Sequence, residues 1–182
     1  MIKFILLGFL NYGPMTGYDL KQNLDSSTVH FWHAHHSQIY TMLREMEKEN
    51  LVTSQYIEEE GQPDRRIYFI TDTGKQALAQ WLSQPMTEMA AVKDEFLVRI
   101  FFSARREPQK VIDELVVQRE LHQKQLEMYR QCIEPLIDNQ EHVEQGLERD
   151  AAFWHATLNM GIRYEEAYLG WINETIQMIE GL

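Results

Sequence analysis

Three short helical patterns, followed by two β-rich runs around one polar turn, fill the first 83 residues, and that order constrains the fold more than any other feature. Residues 2–11 are almost all apolar (Ile2, Phe4 to Leu7, Phe9, Leu10), and Gly13-Pro14 stops the run. Thr16 with Asp19 three positions on predicts an N-cap and an acidic first turn. That opens a second helix over 17–24, which Asp25-Ser26-Ser27 breaks. A third helix over 37–50 places Ile39, Met42 or Leu43, and Met46 at helical spacing. Its other face offers Gln38, Tyr40, Thr41, Arg44, Glu45 and Lys48.

Leu51 to Ile57 then alternates, and Arg66 to Thr71 is β-branched and aromatic. The stretch between them, Glu58 to Arg65, is polar and carries Gly61 and Pro63, so the two runs read as a hairpin. A fourth helix over 74–83, capped by Thr71 or Thr73, is expected to turn Ala77, Leu78, Trp81 and Leu82 inward. Three helices and a two-stranded ribbon make the winged helix-turn-helix plan. Pro85 marks its boundary, which divides the chain into 1–84 and 85–182.

The second part shows no strand pattern. Residues 95–103 form a short apolar helix around Phe96, Leu97, Ile100, Phe101 and Phe102. After Glu107-Pro108, Ile112, Leu115, Arg119, His122, Leu126, Tyr129, Ile133 and Leu136 recur at steps of three and four, a coiled-coil-like seam with two polar interruptions. Pro135 kinks or ends that helix. A last helix over 150–180 carries two adjoining stripes. One is Trp154, Leu158, Ile172, Ile176 and Ile179; the other is Phe153, Met160, Tyr164, Ala167, Trp171 and Met178. A face that wide must be buried, and a thin layer of helices cannot bury it alone. The expected fold is therefore mainly α with a small β-hairpin: an N-terminal winged helix-turn-helix plus a C-terminal helical dimerisation region.

Net charge is −11, but it is uneven: 1–83 hold seven Lys/Arg against ten Asp/Glu, and 84–182 hold ten against eighteen. Most of the excess acid sits away from the winged helix, and local geometry decides binding to nucleic acid. The single cysteine, Cys132, excludes a disulfide framework within the chain and a thiolate-rich metal site. No segment reaches the ~18 apolar residues of a membrane span. The opening run lacks a basic leader and a small-residue cleavage site, so it reads as a folded helix of a cytoplasmic protein. No nucleophile motif, phosphate-binding glycine loop or apolar carboxylate pair is present, so neither an enzyme nor a cofactor is expected.

An α-helix with a polar face fits the major groove of double-stranded DNA. On the third helix, Gln38 suits adenine and Arg44 suits guanine or phosphate. His36, Ser37, Tyr40 and Thr41 suit phosphate or base contacts. Arg65 and Arg66 at the hairpin foot suit phosphate through their planar forks, and Lys75 is a further backbone candidate. Glu58, Glu59 and Glu60 are expected to splay away from the DNA. His30, His33, His35 and His36 could ligate a metal, but no thiolate or nearby carboxylate completes a set; packing, capping and phosphate contact explain them, and no metal site is expected. Two alternatives stand beside DNA binding: a winged-helix protein–protein adaptor and a histidine-based metal sensor. Trp32, Met89 and Phe96 mark a possible site for a small, partly apolar effector.

These residues resemble the PadR family of bacterial transcriptional regulators. The matching stretches are Ile5 to Leu10 with Gly13 to Leu20, then Trp32 with His36 to Tyr40, then Leu43 with Leu51-Val52. The hairpin match is Pro63 to Tyr68 with Ile70 to Gly74 and Trp81-Leu82. The second half resembles the C-terminal region of the virulence-activator branch, through Gly161 to Glu166 and Trp171-Ile172. The resemblance implies that the third helix enters the major groove, the wing touches phosphate and the C-terminal helices pair two subunits. It implies a repressor more often than an activator, in some members with a small-molecule effector. His33 and His35 depart from the family pattern.

Overall fold

The first helix is apolar on nearly all of its faces, and Ile2, Phe4, Ile5 and Phe9 pack partly buried against the same core that takes its fully buried leucines. In the computed structural model, which describes residues 1–27, 32, 34–57, 65–89, 93–138 and 145–182, α1 (Ile2–Tyr12) buries Leu6, Leu7 and Leu10. After β1 (Met15–Thr16), α2 (Gly17–Ser27) adds Leu20 and Leu24 to the same core. The Thr16 cap forms as expected: its hydroxyl accepts from Asp19 N at 3.1 Å, and the Asp19 carboxylate accepts from Thr16 N at 3.0 Å. The helix does not break at Asp25. Lys21 pairs with Asp25 one turn on, and the Ser26 and Ser27 hydroxyls both donate to the Asn23 carbonyl, so these polar side chains bond within the helix instead of breaking it.

α3 (His36–Lys48) buries Ile39, Leu43 and Met46. It ends in a left-handed residue, Asn50 at φ 57°. Leu51 N donates to Met46 O and Asn50 N to Glu47 O, which reverses the chain into β2 (Val52–Ile57). β3 (Arg65–Ile70) pairs antiparallel with β2, from Val52 opposite Ile70 to Ile57 opposite Arg65. The hairpin expected from the sequence is one strand short. β1 adds to the free edge of β3, with Met15 opposite Tyr68, so the sheet order is β1-β3-β2. The ribbon tip, Glu58 to Asp64, and His30 and His33 lie outside the described residues.

α4 (Asp72–Ser83) starts with Thr71 as its cap, whose hydroxyl accepts from Gly74 N at 3.0 Å. Thr71 also donates to the Leu51 carbonyl through its amide and its hydroxyl, both at 3.0 Å. The first turn of α4 is thereby drawn onto Leu51, and a Cβ on Gly74 would stand 2.2 Å from that carbonyl oxygen. Leu78 is buried, and Trp81 stacks on Phe4 of α1 at 4.7 Å. Leu82, expected to face inward, is 67% exposed because Leu78 and Trp81 already fill the face that α4 turns to α1.

The chain divides into two compact units, Met1–Met89 and Ala90–Leu182. The second is helical among its described residues: α5 (Glu95–Phe101), a 3₁₀ turn (Ser103–Arg105), α6 (Pro108–Met128), a wide π turn (Tyr129–Ile133), α7 (Glu134–Ile137) and α8 (Glu148–Glu180). The π turn precedes Pro135, whose ring and missing N–H forbid a regular α turn there. α6 and α8 run antiparallel: Val111 and Leu115 share a core with Ile172 and Ile176, and Tyr129 and Ile133 share one with Leu158. The two polar interruptions of the seam meet polar partners on α8. Arg119 donates to Asn173, and His122 bonds buried Glu165. Leu136 of the seam and Phe153, Met160, Tyr164 and Met178 of the second α8 stripe stay exposed on the single chain. No helix among the described residues is long and apolar enough to cross a membrane.

Candidate nucleic-acid interface

Because Ile39, Leu43 and Met46 anchor α3 in the core, the opposite stripe of Ser37, Thr41, Arg44 and Lys48 faces solvent. Its flanks are partly neutralised. Glu49 pairs with Lys3 at 2.7 Å, and Glu47 pairs with Arg66 at 2.7 Å. Arg44 and Lys48 are then the charges of the outward stripe, with exposed Glu45 at its edge. Arg44 folds back along its helix, Nε donating to the Tyr40 carbonyl at 3.3 Å and NH2 to the Thr41 hydroxyl at 3.4 Å. Those bonds lie on an exposed surface, so Arg44 can exchange them for a stronger acceptor.

The sequence-predicted residues do not all share this stripe. Gln38 is exposed, but its side-chain oxygen accepts from His35 N at 2.9 Å and so caps α3. A two-bond contact to a base would require giving up that cap. Tyr40 is half-buried: its ring lies against Gly17, where an added Cβ would approach to 2.6 Å. The His36 ring leans on Tyr40 at 4.7 Å. Tyr40 therefore fixes the angle between α2 and α3, and His36 extends that contact. Lys75 is exposed at the start of α4, with Asp72 at 4.0 Å.

The two adjacent arginines differ. Arg65 is exposed at the outer end of the ribbon. Arg66 turns the other way. Its Nε donates to Ser54 Oγ at 2.9 Å, and its NH2 donates to the two Glu47 oxygens at 2.9 and 2.7 Å. Ser54 also donates to Glu47. The guanidinium lies 5.1 Å from the Tyr56 ring and 5.3 Å from the Tyr68 ring. Burial opposes its charge, but Tyr68, Glu47 and Tyr56 outweigh it and raise the Arg66 pKa. Burial also pushes the Tyr68 hydroxyl above its ordinary value. Neither Glu47 nor Ser54 carries a local signal in the sequence, since both find Arg66 only through the sheet register. Lys48 is a further stripe residue, legible from the helical period yet absent from the contact set drawn from the sequence.

Of the effector candidates, Trp32 and Met89 belong to the first unit and Phe96 to the second. Trp32 lines an open groove of about 530 Å³ with Met1, Ile2 and Met42, whose polar wall is Ser37, Gln38, Thr41 and Glu45. Its indole N–H is buried without a hydrogen-bond partner among the described residues. Met89 is 97% exposed, and Phe96 packs edge-on against Trp171 at 6.2 Å. No cluster of three or more potential metal ligands occurs among the described residues.

Comparison with known proteins matches both parts of the chain. Residues 6–80 fit the model of the transcriptional regulator PadR-like family, and residues 92–180 fit the virulence activator alpha C-terminal model. The negative transcriptional regulator PadR of Bacillus subtilis is 29% identical, over 99% of this chain and 98% of that protein. Its crystal structure in complex with operator DNA superposes with a TM-score of 0.81 at 25% identity, covering 98% of each chain. Its crystal structure in complex with p-coumaric acid gives 0.76 at 25% identity over the same shares. With its two parts matched in order along nearly the whole length, the chain belongs to the PadR-like family of transcriptional regulators.

Proposed function

We propose that the protein regulates transcription by binding double-stranded DNA sequence-specifically as a homodimer, repressing from an inverted-repeat operator in the cytoplasm. The observation that carries this reading is the outward stripe of α3, where Ser37, Thr41, Arg44 and Lys48 stand clear of the core on a helix braced by α1, α2 and the sheet. Such a helix fits the major groove, and the ribbon beside it falls along the phosphate backbone. Thr41 and Arg44 read base edges, while Ser37, Lys48, Arg65 and Lys75 position the domain on phosphate. The operator-bound relative supports the DNA partner, and its designation as a negative regulator supports repression.

The helical unit supplies the second copy. Phe101, Phe102, Phe153 and Met160 are each more than 60% exposed on the single chain. Exposed apolar groups in that number mark an interaction surface. A p-coumaric acid complex of the B. subtilis relative supports a small aromatic effector here as well, with Trp32 as a residue that can stack on it. The function itself requires no catalysis. Selection of duplexes from a randomised library tests the reading: an enriched, two-fold symmetric motif is expected, and no enrichment would overturn it.

A further inference from the structure

Arg65 and Arg66 adjoin in sequence, Arg65 exposed and Arg66 partly buried. Arg66 links three elements: Glu47 at the flank of α3, Ser54 on β2 and its own strand β3. Arg66 stands opposite Tyr56, one pair inside the last described pair, and Ser54 stands opposite Tyr68, third from the root, so the link ties the middle of the ribbon to α3. We propose that Arg66 is a positioning residue that clamps the ribbon to the recognition helix through Glu47 and Ser54, and that it is not a phosphate contact. The proposal rests on the DNA-binding reading above.

Three features favour the clamp. Much of the guanidinium is engaged: Nε and NH2 are spent on Ser54 and both oxygens of Glu47, and the group lies near the Tyr56 and Tyr68 rings. Its charge is matched by a carboxylate, so a phosphate arriving there meets a neutralised pair. Release of Arg66 toward DNA would strand Glu47, which is only 23% exposed, as an unpaired acid beside a polyanion. Within the DNA-bound assembly the clamp fixes the distance between the helix in the groove and the strand on the backbone, which is what a two-point contact needs.

The two roles predict opposite signs for one substitution. Glu47→Gln removes a negative charge and frees Arg66. If Arg66 touches phosphate, this variant binds DNA more tightly; if Arg66 is a clamp, it binds more weakly. The probe is the duplex enriched by the wild-type protein from a randomised library, titrated at several salt concentrations. Glu47→Gln and Arg66→Met should each weaken binding by about tenfold. Arg66→Met should keep the wild-type slope of log affinity against log salt, whereas losing a phosphate contact flattens that slope by about 0.9. Tighter or unchanged binding by Glu47→Gln, or a flattened slope in Arg66→Met, overturns the proposal. Hydrogen exchange of the DNA-free protein gives a second readout. Both variants should speed exchange at the amides shared by β2 and β3 and leave α8 unchanged. Unchanged β2–β3 exchange overturns the clamp whatever the DNA result. A wild-type protein that enriches no duplex, with both variants still showing the exchange effect, would instead sink the DNA-binding reading and leave the clamp as a feature of the fold.

Discussion

Gly74→Ala tests how closely α4 is drawn onto the sheet. The added methyl would stand 2.2 Å from the Leu51 carbonyl oxygen and 2.9 Å from Ile70 Cγ1. The oxygen belongs to the backbone, so relief requires moving the first turn of α4. Overpacking of this kind costs about 1–3 kcal/mol. Moving that turn also strains the two bonds from Thr71 to the same carbonyl, each worth about 1 kcal/mol. The expected loss is therefore about 2–5 kcal/mol, a fall in the melting temperature of the winged-helix unit of about 10 °C or more. Gly8→Ala in α1 is the control. Nothing lies within 4 Å of its Cβ position, so it should stabilise by about 0.5–1 kcal/mol. Thermal unfolding followed by circular dichroism reads both. If Gly74→Ala melts within 2 °C of the wild type, the argument from close approach is wrong.

Further outcomes follow from other contacts. Gln38→Ala should lower stability by about 1 kcal/mol through loss of the α3 cap; it should leave the base preference of the selected motif unchanged, so an altered motif would show that Gln38 leaves its cap to read DNA. Tyr168 donates to Asp94 at 3.1 Å, and burial together with Asp94 raises its pKa well above the ordinary value of about 10. The raised pKa favours the neutral phenol, so this contribution is complete below pH about 10 and is lost as pH rises through the folded-state pKa. Tyr168→Phe should therefore cost about 1 kcal/mol at neutral pH and lose less stability than the wild type in alkaline urea melts; parallel curves would contradict the assignment. Phe153→Ser with Met160→Ser should shift light scattering from twice the 21.6 kDa chain mass toward the single mass, and a double variant that stays dimeric would move the interface elsewhere on the unit.

Features with a local period or a local partner were legible in the sequence. Ile39 and Met46 mark the inner face of α3 by spacing, with Met42 or Leu43 between them settled only by the fold in favour of Leu43, and Thr16 with Asp19 announces a cap within four residues. The polar breaks in the α6 seam, Arg119 and His122, were visible as breaks, but their α8 partners Asn173 and Glu165 were not. Long-range pairings left no trace. β1 is two residues long and has no alternation to read, so only the sheet reveals it. Gln38 offered the same amide for a base or for a cap, and only the geometry at His35 separates the two. Arg66 is the sharpest case: its composition and place in the ribbon suit phosphate, yet Glu47, nineteen residues earlier, claims it.

Two copies of this chain are expected to present their α3 stripes to one duplex. Multi-angle light scattering of the protein bound to the duplex it enriches measures this directly. The expected complex holds two chains per duplex, on a motif whose symmetric half-sites have centres one helical turn (~10 base pairs) or a multiple of it apart. One chain per duplex on an asymmetric motif would contradict it.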